Sequence, residues 1–474
     1  MQGLPLLNQR RSFLLNAGNG FGALALAGTL LRCEGLAAAG DDWNGGLHHR
    51  AKVRRVIQLF MNGGVSQMDT FDHKPELDKR HGEKMDFGLK AAVTSTPGSL
   101  MKSPFPFAQY GECGRWVSSV FPYMAQHVDD LAFLMAMRSK SNVHGPASYL
   151  QNTGSLNPGF PSLGAWLTYG LGNSCDNLPS YVVLPDHRGL PYNNTGNFSC
   201  GFLPAANAAT VIKPNSPVPV PNLTPPSSAR EITAASESAG LDLLRKLNGE
   251  HLAQHPHDAR LEARIASFEL AAQMQLSAPE ALDVSRETSE TQMAYGLQDD
   301  ATAPFGRNCL IARRLIERGV RFVQVWSGMG GPAKNWDNHT DIPNELPFIA
   351  KSVDQPVDAL LTDLKQRGLM EDTLVIWTTE FGRMPFTQGA TGRDHNAGTF
   401  VSWLAGAGVR GGTTHGSSDD FGYQAAVDET SGYDLHATVL HLLGIDHTRL
   451  TYRHNGLDRR LTDVHGHVID PILS

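Results

Sequence analysis

The chain has 474 residues, of which 41% are hydrophobic and 18% are charged. This apolar content can bury a core, which excludes a disordered chain, and the length allows two to four domains or one large α/β domain with insertions. The formal net charge of −7 leaves no basic field to hold a nucleic-acid backbone, so nucleic-acid binding is excluded.

The amino terminus is typical of an export signal rather than of a folded element. The pair Arg10-Arg11 precedes a weakly apolar, Gly-rich stretch that ends in small residues at 37–39. The stretch is short for a membrane anchor and is diluted by Asn and Gly. We therefore predict a twin-arginine signal over residues 1–38 and export by the twin-arginine machinery to the periplasm or the extracellular space. The mature chain, 39–474, is expected to form one domain without a transmembrane span.

Apolar, β-branched runs alternate with amphipathic segments along the mature chain. The runs predict strands at Val53–Phe60, Leu131–Met135, Tyr181–Leu184, Val320–Trp326, Thr373–Trp377 and Phe400–Leu404. Such runs suit a sheet that is covered on both faces. The amphipathic segments predict helices at Asn308–Arg318, from Val357 to Leu364 and at Ala437–Leu443. The alternation indicates a doubly wound α/β sheet.

Two segments interrupt this pattern. Residues 204–226 hold seven prolines, which predict an extended surface loop. From about residue 229 to residue 297, the sequence is rich in charged residues and predicts helix. We interpret the second segment as an inserted helical cap or an oligomer contact. Cys175 and Cys200 are the closest cysteine pair, and they fit either a disulfide formed in an oxidising compartment or two buried free thiols. A short hairpin is predicted for the chain beyond Tyr452.

Polar side chains follow the predicted strands, at the edge where open α/β sheets bind ligands. Those that carry a carboxylate or an imidazole are Asp337, His339, Glu380, His395 and His436. Each one alone is more often a cap or a hydrogen-bonded core group, but successive elements place such a group at the same edge. Mixed oxygen and nitrogen ligands suit zinc, manganese or iron, whereas carboxylates with Asn suit calcium or magnesium. The five residues therefore predict a divalent metal site.

Several long runs resemble the family catalogued as domain of unknown function 1501, which is similar to the alkaline phosphatase and sulfatase superfamily. The runs are GGVSQMDTFDHKPE at 63–76, NWDNHTD at 335–341, TLVIWTTEFGRMP at 373–385, GRDHNAG at 392–398 and YDLHATVLHLLG at 433–444. The resemblance extends from about Val53 to Leu461. It implies an alkaline phosphatase-like three-layer α/β sandwich, with a mostly parallel central sheet flanked by helices. It also implies a metal-dependent hydrolytic site at the strand ends.

The resemblance implies roles for individual residues. Asp337 and His339 correspond to an Asp and a His that bind metal in the superfamily, and His395 corresponds to a later His ligand. His436 opens a helix at a position where the superfamily more often has Pro. These correspondences support the predicted metal site.

The chain also departs from the superfamily pattern. Glu380 stands where an Asp of an Asp-His pair is usual, but Phe381 replaces the His, and Asn62 stands where a ligating Asp is usual. His144 occupies the position of the nucleophilic Cys or Ser. Because no cysteine is there to be converted to an aldehyde hydrate, conventional sulfatase chemistry is not expected.

The catalytic roles stay open among alternatives. His144 can attack phosphorus as an imidazole nucleophile, act as a base for water, bind metal, or simply pack at a helix start. Ser66 is the other candidate nucleophile, in a Gly-rich turn with Asp69 three residues on, although that Asp can simply cap the turn. Arg383 either clamps an anionic substrate or pairs with a carboxylate. Asn62 and Arg383 are the candidates for steadying a transferred oxyanion.

The expected function is an exported, metal-dependent hydrolase-like protein that acts on a phosphate or sulfate ester or a related anionic substrate, which is a small molecule or a polysaccharide. The cofactor is a divalent metal, with zinc, manganese or calcium the best fits. The alternative is a non-catalytic exported binding protein that uses the same crevice for a polysaccharide or a protein partner. The missing nucleophile and the missing Asp-His pair favour this alternative.

Overall fold

The computed structural model describes residues 47–86, 96–175, 177–221, 234–255, 259–331 and 335–474. The predicted twin-arginine signal, 1–38, lies outside these residues. Within the described ranges, each helix is either too short or too polar to cross a bilayer.

The structure alternates strands and helices along the chain. The strands are β1 Arg55–Met61, β2 Phe107–Tyr110, β3 Arg115–Ser118, β4 Leu131–Arg138, β5 Tyr181–Leu184, β6 Thr210–Val211, β7 Phe322–Ser327, β8 Thr373–Thr378, β9 Gly382–Gln388, β10 Gly392–Asn396, β11 Phe400–Gly406, β12 Thr414–His415, β13 Ser417–Ser418, β14 Ala425–Val427, β15 Thr430–Ser431, β16 Tyr452–His454 and β17 Leu457–Arg459. The helices are α1 Pro75–Lys79, α2 His144–Thr153, α3 Leu163–Leu171, α4 Ala234–Gln254, α5 Ala259–Leu282, α6 Ser289–Ala294, α7 Ala303–Glu317, α8 Ile342–Gln366 and α9 Gly432–Leu442. Short 3₁₀ turns lie between several of them.

The central sheet has the strand order β12-β4-β11-β8-β1-β7-β5-β6, and β15 also pairs with β4. Strand β1 pairs in parallel with both β7 and β8, and β5 pairs in parallel with β7 and β6. Strand β11 runs antiparallel to its two neighbours, β8 and β4. The sheet is therefore mixed but mostly parallel, and the ends of β1, β7 and β8 meet at one edge.

Helices cover both faces of this sheet. On one face, Ile57 and Leu59 of β1 pack in a core with residues of α7 and α8. On the other face, Val56 and Phe60 pack in a second core with residues of α3 and α9. This alternation follows from the two-residue period of a strand, and the resulting three-layer α/β architecture confirms the predicted fold class.

The six predicted strands are present, and their ends either match the prediction or differ by at most three residues. Helix α8 begins at Ile342, well before the predicted start at Val357, and it contains Pro347 and Pro356. The predicted proline-rich loop contributes the edge strand β6, whose Thr210 lies opposite Val182 of β5. Helices α4 and α5 occupy much of the predicted insertion.

Strands β16 and β17 form the hairpin predicted beyond Tyr452. Cys113, Cys200 and Cys309 are free thiols in the structure. Cys175 and Cys200 are therefore not joined to each other by a disulfide, and both are only partly buried.

Candidate metal centre

Four side chains from separate parts of the sequence converge beyond the sheet edge. They are His144, Asp337, His339 and His395, and one ligand atom of each lies within 4.8 Å of the ligand atoms of the other three. Asp337 is central, because its Oδ1 lies 3.3 Å from His144 Nε2, 2.8 Å from His339 Nε2 and 3.1 Å from His395 Nε2. We call these four residues the metal centre.

The loop after β7 reaches the centre by packing closely on the end of β1. Trp336 donates its backbone N–H to the carbonyl of Asn62 at 3.2 Å. Gly63 has φ +127°, and a Cβ there would lie 2.6 Å from the backbone nitrogen of Asp337. Glycine is required at this position because the conformation and the close approach both exclude a side chain. The contact fixes Asp337 against the first strand.

His395 lies on β10, which pairs antiparallel with β9 outside the central sheet. The expectation that His395 follows a strand is therefore wrong, because it lies within one. Gly392 begins β10, and a Cβ there would lie 1.7 Å from the carbonyl oxygen of His339. The absence of a side chain at Gly392 lets the hairpin approach the loop that carries His339, which brings the two imidazoles together.

Each imidazole of the centre has its Nδ1 directed at an oxygen acceptor. His144 Nδ1 lies 2.7 Å from Glu380 Oε1, and His395 Nδ1 lies 2.8 Å from the carbonyl oxygen of Asn142. His339 Nδ1 contacts Gln388 Oε1. Carbonyl, carboxylate and amide oxygens only accept hydrogen bonds, so each Nδ1 carries the proton and each neutral imidazole presents an unprotonated Nε2.

When the three rings are neutral, their Nε2 atoms carry lone pairs that face one another. His339 Nε2 and His395 Nε2 are 2.8 Å apart, and the buried Nε2 of His144 has no hydrogen-bond partner. Converging lone pairs repel one another unless a proton or a cation lies between them. Imidazole nitrogens with one carboxylate form a donor set that suits zinc, manganese or iron, and outer oxygens that orient each ring are typical of metal-binding histidines. The residues therefore fit a divalent metal.

The electrostatics of the centre favour an ionised Asp337, and they shift the pKa values of His395 and His144 in opposite directions. Burial alone would raise the pKa of Asp337, but the charge of Arg383, followed by the close contacts of the three histidines, holds that pKa far below its usual range. Burial lowers the pKa of His395 to about 4, against the opposing effect of Asp337. Burial also lowers the pKa of His144, but Asp337 and Glu380 outweigh it and the net shift is upward.

Glu380 is a supporting residue in this structure rather than a member of the centre. Its side chain is fully buried, and Oε1 accepts from His144 Nδ1 and, at 2.8 Å, from the backbone N–H of Gly63. Oε2 accepts from the hydroxyl of Thr379 at 3.1 Å. Both oxygens are therefore engaged by the protein, and Glu380 orients His144.

Arg383 is also buried and engaged by the protein. Its Nη2 donates to Asp337 Oδ1 at 2.6 Å, and its Nε donates to the carbonyl of Gly64 at 2.7 Å. Nη1 donates to the carbonyl of Arg393 at 3.1 Å. The sequence left open whether Arg383 clamps an anionic substrate or pairs with a carboxylate. The geometry matches the pairing with a carboxylate, and it leaves no free face of the guanidinium to clamp a substrate.

Ser66 and Asn62 lie beside the centre but do not join it. The buried hydroxyl of Ser66 donates to Asp69 Oδ2 at 2.5 Å, and Asp69 is itself paired with Arg393. Asn62 Nδ2 donates to the carbonyl of Met329 at 3.0 Å, while its Oδ1 is buried without a partner. Ser66 is thus held by the buried carboxylate of Asp69, and Asn62 braces the loop after β7.

His436 is not among the four converging residues. It lies in α9, fully buried, and its Nε2 is 3.0 Å from the carbonyl oxygen of Gln151. Burial lowers its pKa to about 4. Of the five predicted ligands, Asp337, His339 and His395 therefore converge. Glu380 and His436 do not, because they bind other protein groups.

Three residues at the centre were missed by sequence reasoning. Gln388 and Asn142 accept from the imidazoles, and Tyr192 stacks on His144 with ring centroids 4.2 Å apart. The hydroxyl of Tyr192 lies 3.3 Å from Asp337 Oδ2. Burial, followed by the charge of Asp337, raises the pKa of Tyr192 to about 12. Nothing in the sequence marks these residues, because each reaches the centre through tertiary packing.

Comparisons with known proteins were made at the level of families, curated proteins and solved structures. The family model described as Protein of unknown function (DUF1501) matches residues 53–473. Curated proteins give no match to this sequence.

Among solved structures, the chain is distantly similar to several hydrolases and one synthase. The PsFucS1 sulfatase from Pseudoalteromonas sp. is 13% identical with a TM-score of 0.35, over 86% of this chain and 74% of that chain. The lipoteichoic acid synthase LtaP from Listeria monocytogenes is 9% identical with a TM-score of 0.35, over 90% of this chain and 78% of that chain. A TAB5 alkaline phosphatase variant with Mg bound in its M3 site is 11% identical with a TM-score of 0.33, over 76% of this chain and 93% of that chain. Similarity at this level assigns no activity.

Proposed function

The chain belongs to the DUF1501 family, as its motifs predict, and from the centre it builds we propose that it is a metal-dependent hydrolase of anionic esters. The observation that carries this proposal is the convergence of three imidazole Nε2 atoms on Asp337, with each Nδ1–H held by an oxygen acceptor. Three nitrogen ligands favour zinc or manganese, whereas calcium prefers oxygen ligands. Export by the twin-arginine machinery to the periplasm or beyond remains part of the proposal.

The division of labour at the centre follows from the contacts. His144, Asp337, His339 and His395 would hold the ion, which when bound supplies a Lewis acid that polarises an ester and lowers the pKa of water. Glu380 keeps His144 in the tautomer that presents Nε2. Arg383 holds Asp337 ionised and fixed, so the carboxylate does not rearrange when the ion enters.

The nucleophile in this proposal is water rather than a side chain. Ser66 donates its hydroxyl to Asp69, and His144 faces the other ligands instead of an open crevice. Tyr192 lies with its hydroxyl beside Asp337, where it is in reach of a group bound at the centre. A phosphate or sulfate ester is the substrate class that this arrangement favours.

Metal analysis of the purified protein tests the proposal first. After chelation and reloading with zinc or manganese, one ion per chain is expected, and His339→Ala is expected to abolish stoichiometric loading. His255→Ala, at an exposed histidine directly after α4, is the matched control and should load as the parent does. Failure of the parent to bind either metal would overturn the proposal.

Turnover is tested on aryl phosphates, phosphodiesters and aryl sulfates. Activity that needs metal and disappears in both His144→Ala and Glu380→Ala supports a hydrolase. Retained activity in both variants would mean that another site catalyses the reaction.

A second function is favoured by the number of ligands. Four protein ligands fill a tetrahedral zinc site, and structural zinc sites are of this closed kind, whereas catalytic sites keep one position open. The alternative is therefore a non-catalytic exported protein that binds a polysaccharide or a protein partner and uses the metal to fix its loops. The visible spectrum of the cobalt(II) form separates the two, because a closed tetrahedral ion absorbs strongly and does not respond to added phosphate.

A further inference from the structure

The two residues predicted to steady an oxyanion are not free to do so. Arg383 donates to Asp337 and to the carbonyl of Gly64, and Asn62 donates to the carbonyl of Met329. Hydrolases of charged esters use fixed hydrogen-bond donors that are aimed at the oxyanion. The structure therefore leaves this role open for another side chain at the metal centre.

The hydroxyl of Tyr192 lies at the metal centre without a close partner. Its nearest acceptors are the carbonyl oxygen of Gly331 at 3.2 Å and Asp337 Oδ2 at 3.3 Å, and Asn335 Nδ2 lies 3.5 Å away. Hydrogen bonds from a hydroxyl to an oxygen are usually about 2.7–2.8 Å long, so the protein holds this proton weakly. Tyr192 is only partly buried. A stronger acceptor bound beside Asp337 can therefore take the hydrogen bond.

The turn that carries Tyr192 has an unusual backbone conformation. Asn193 and Asn194, which follow it, both have positive φ, +65° and +51°. Asparagine adopts this left-handed conformation more readily than most residues, but as a rule only singly. Backbone strain persists where the surrounding structure fixes it, and it is concentrated at functional sites. The strained pair therefore indicates that the position of Tyr192 matters for function.

Contacts with the start of α2 hold this turn at the centre. Asn193 Nδ2 donates to the carbonyl of Gly145 at 2.7 Å, and Asn197 Nδ2 donates to the carbonyl of Tyr192 at 2.5 Å. The ring of Tyr192 stacks on the imidazole of His144, with an angle of 7° between the two planes. The hydroxyl is therefore held in place by the protein before any ligand binds, as a preorganised donor is.

We propose that the hydroxyl of Tyr192 contacts the substrate, by donating a hydrogen bond to a charged oxygen of the phosphate or sulfate group at the metal centre. This inference rests on the proposed function, and it gives Tyr192 the role predicted for Asn62 and Arg383. Asp337 Oδ1 faces the three imidazoles and Oδ2 faces Tyr192, so one carboxylate lies between the hydroxyl and the other metal ligands. The hydroxyl keeps its proton throughout.

Calorimetric titration with inorganic phosphate tests the proposal on the full chain loaded with zinc or manganese. Tyr192→Phe keeps the ring that stacks on His144 and removes only the hydroxyl. Its dissociation constant for phosphate is expected to rise about 10- to 100-fold, because a hydrogen bond to a charged oxygen is lost. Its dissociation constant for the metal, measured by competition with a coloured chelator in the absence of phosphate, should be unchanged.

Tyr169→Phe is the matched control. Tyr169 is also partly buried, and its hydroxyl likewise has a long contact, 3.3 Å to the carbonyl oxygen of Thr451. This variant should bind metal and phosphate as the parent does. The proposal is overturned if Tyr192→Phe binds phosphate as tightly as the parent. It is also overturned if Tyr192→Phe loses metal affinity and keeps its phosphate affinity, because the hydroxyl then only braces Asp337.

The proposed function has a different point of failure. A parent that binds metal and phosphate but turns over no ester would overturn the hydrolase function, while weaker phosphate binding by Tyr192→Phe would still support the contact. A metal-loaded parent that binds no phosphate at about 10 mM would overturn the contact itself.

Discussion

Arg383 Nη2 lies 2.6 Å from Asp337 Oδ1, in an ion pair whose two side chains are 0% and 6% exposed. The same oxygen faces the Nε2 atoms of three histidines. The carboxylate of Asp337 thus contacts both Arg383, which anchors the surrounding loops, and the imidazoles that would bind an ion. Stability and metal binding are coupled at this atom.

Replacing Arg383 with Met is expected to lower the free energy of unfolding by about 3–5 kcal/mol, because Asp337 and several carbonyls are left buried and unpaired. Urea unfolding of the metal-free protein measures this change. Arg138→Met removes an ion pair whose side chains are 56% and 51% exposed, and should cost at most about 1 kcal/mol. Equal effects of the two substitutions would contradict the assigned role of Arg383.

The sequence predicted the sheet well because its strands are buried on both faces and read as unbroken apolar runs. The same logic placed Asp337 and His339 at the sheet edge, where the ends of β1, β7 and β8 meet. His395 was also predicted to lie near them, but on the incorrect assumption that it follows a strand of the central sheet. It reaches the centre on the β9–β10 hairpin, whose polar and charged residues do not read as a strand.

The roles of the remaining residues were not readable from local pattern. Glu380 and Arg383 are both charged residues after a strand, which is also the signature of a ligand or a substrate clamp. Only packing shows that their polar atoms are turned to His144, Asp337 and backbone carbonyls. His436 starts a helix near the same edge in sequence terms, but its ring is directed to the carbonyl of Gln151.

The outer contact of His339 predicts a graded effect on metal affinity. Gln388→Leu removes the acceptor that holds His339 Nδ1–H, so the ring loses its fixed orientation. We expect the dissociation constant for zinc to rise about 10- to 100-fold. Competition with a coloured chelator measures it. Gln126→Leu is the control, because Gln126 is exposed and donates to the carbonyl of Pro122; a similar loss in both variants would contradict the assignment.

Gly63 and Gly389 form a matched pair for testing the close approach of the loops. Both have positive φ, +127° and +62°, but a Cβ at Gly63 would meet the backbone of Asp337, whereas Gly389 has open space around it. Gly389→Ala should cost about 1–2 kcal/mol of stability and leave metal affinity unchanged. Gly63→Ala should displace Asp337 and lose stoichiometric zinc binding. Metal analysis with circular dichroism separates lost binding from lost folding, and zinc retained by Gly63→Ala would refute the close-approach argument.

His436 predicts an acid-sensitive contribution to stability. Burial lowers its pKa from 6.5 to about 4, so the folded state holds it neutral while the unfolded chain takes up a proton below pH 6.5. The unfolded state therefore binds more protons, and stability falls as the pH drops from about 6.5 toward 4, by roughly 3 kcal/mol from this residue. His436→Gln keeps a donor toward Gln151 without a titrating ring, so its stability should depend less steeply on pH. Urea unfolding at pH 7 and pH 4.5 measures the slope, with His255→Gln as the exposed control. Identical slopes for the parent and His436→Gln would show that the ring is protonated in the folded state.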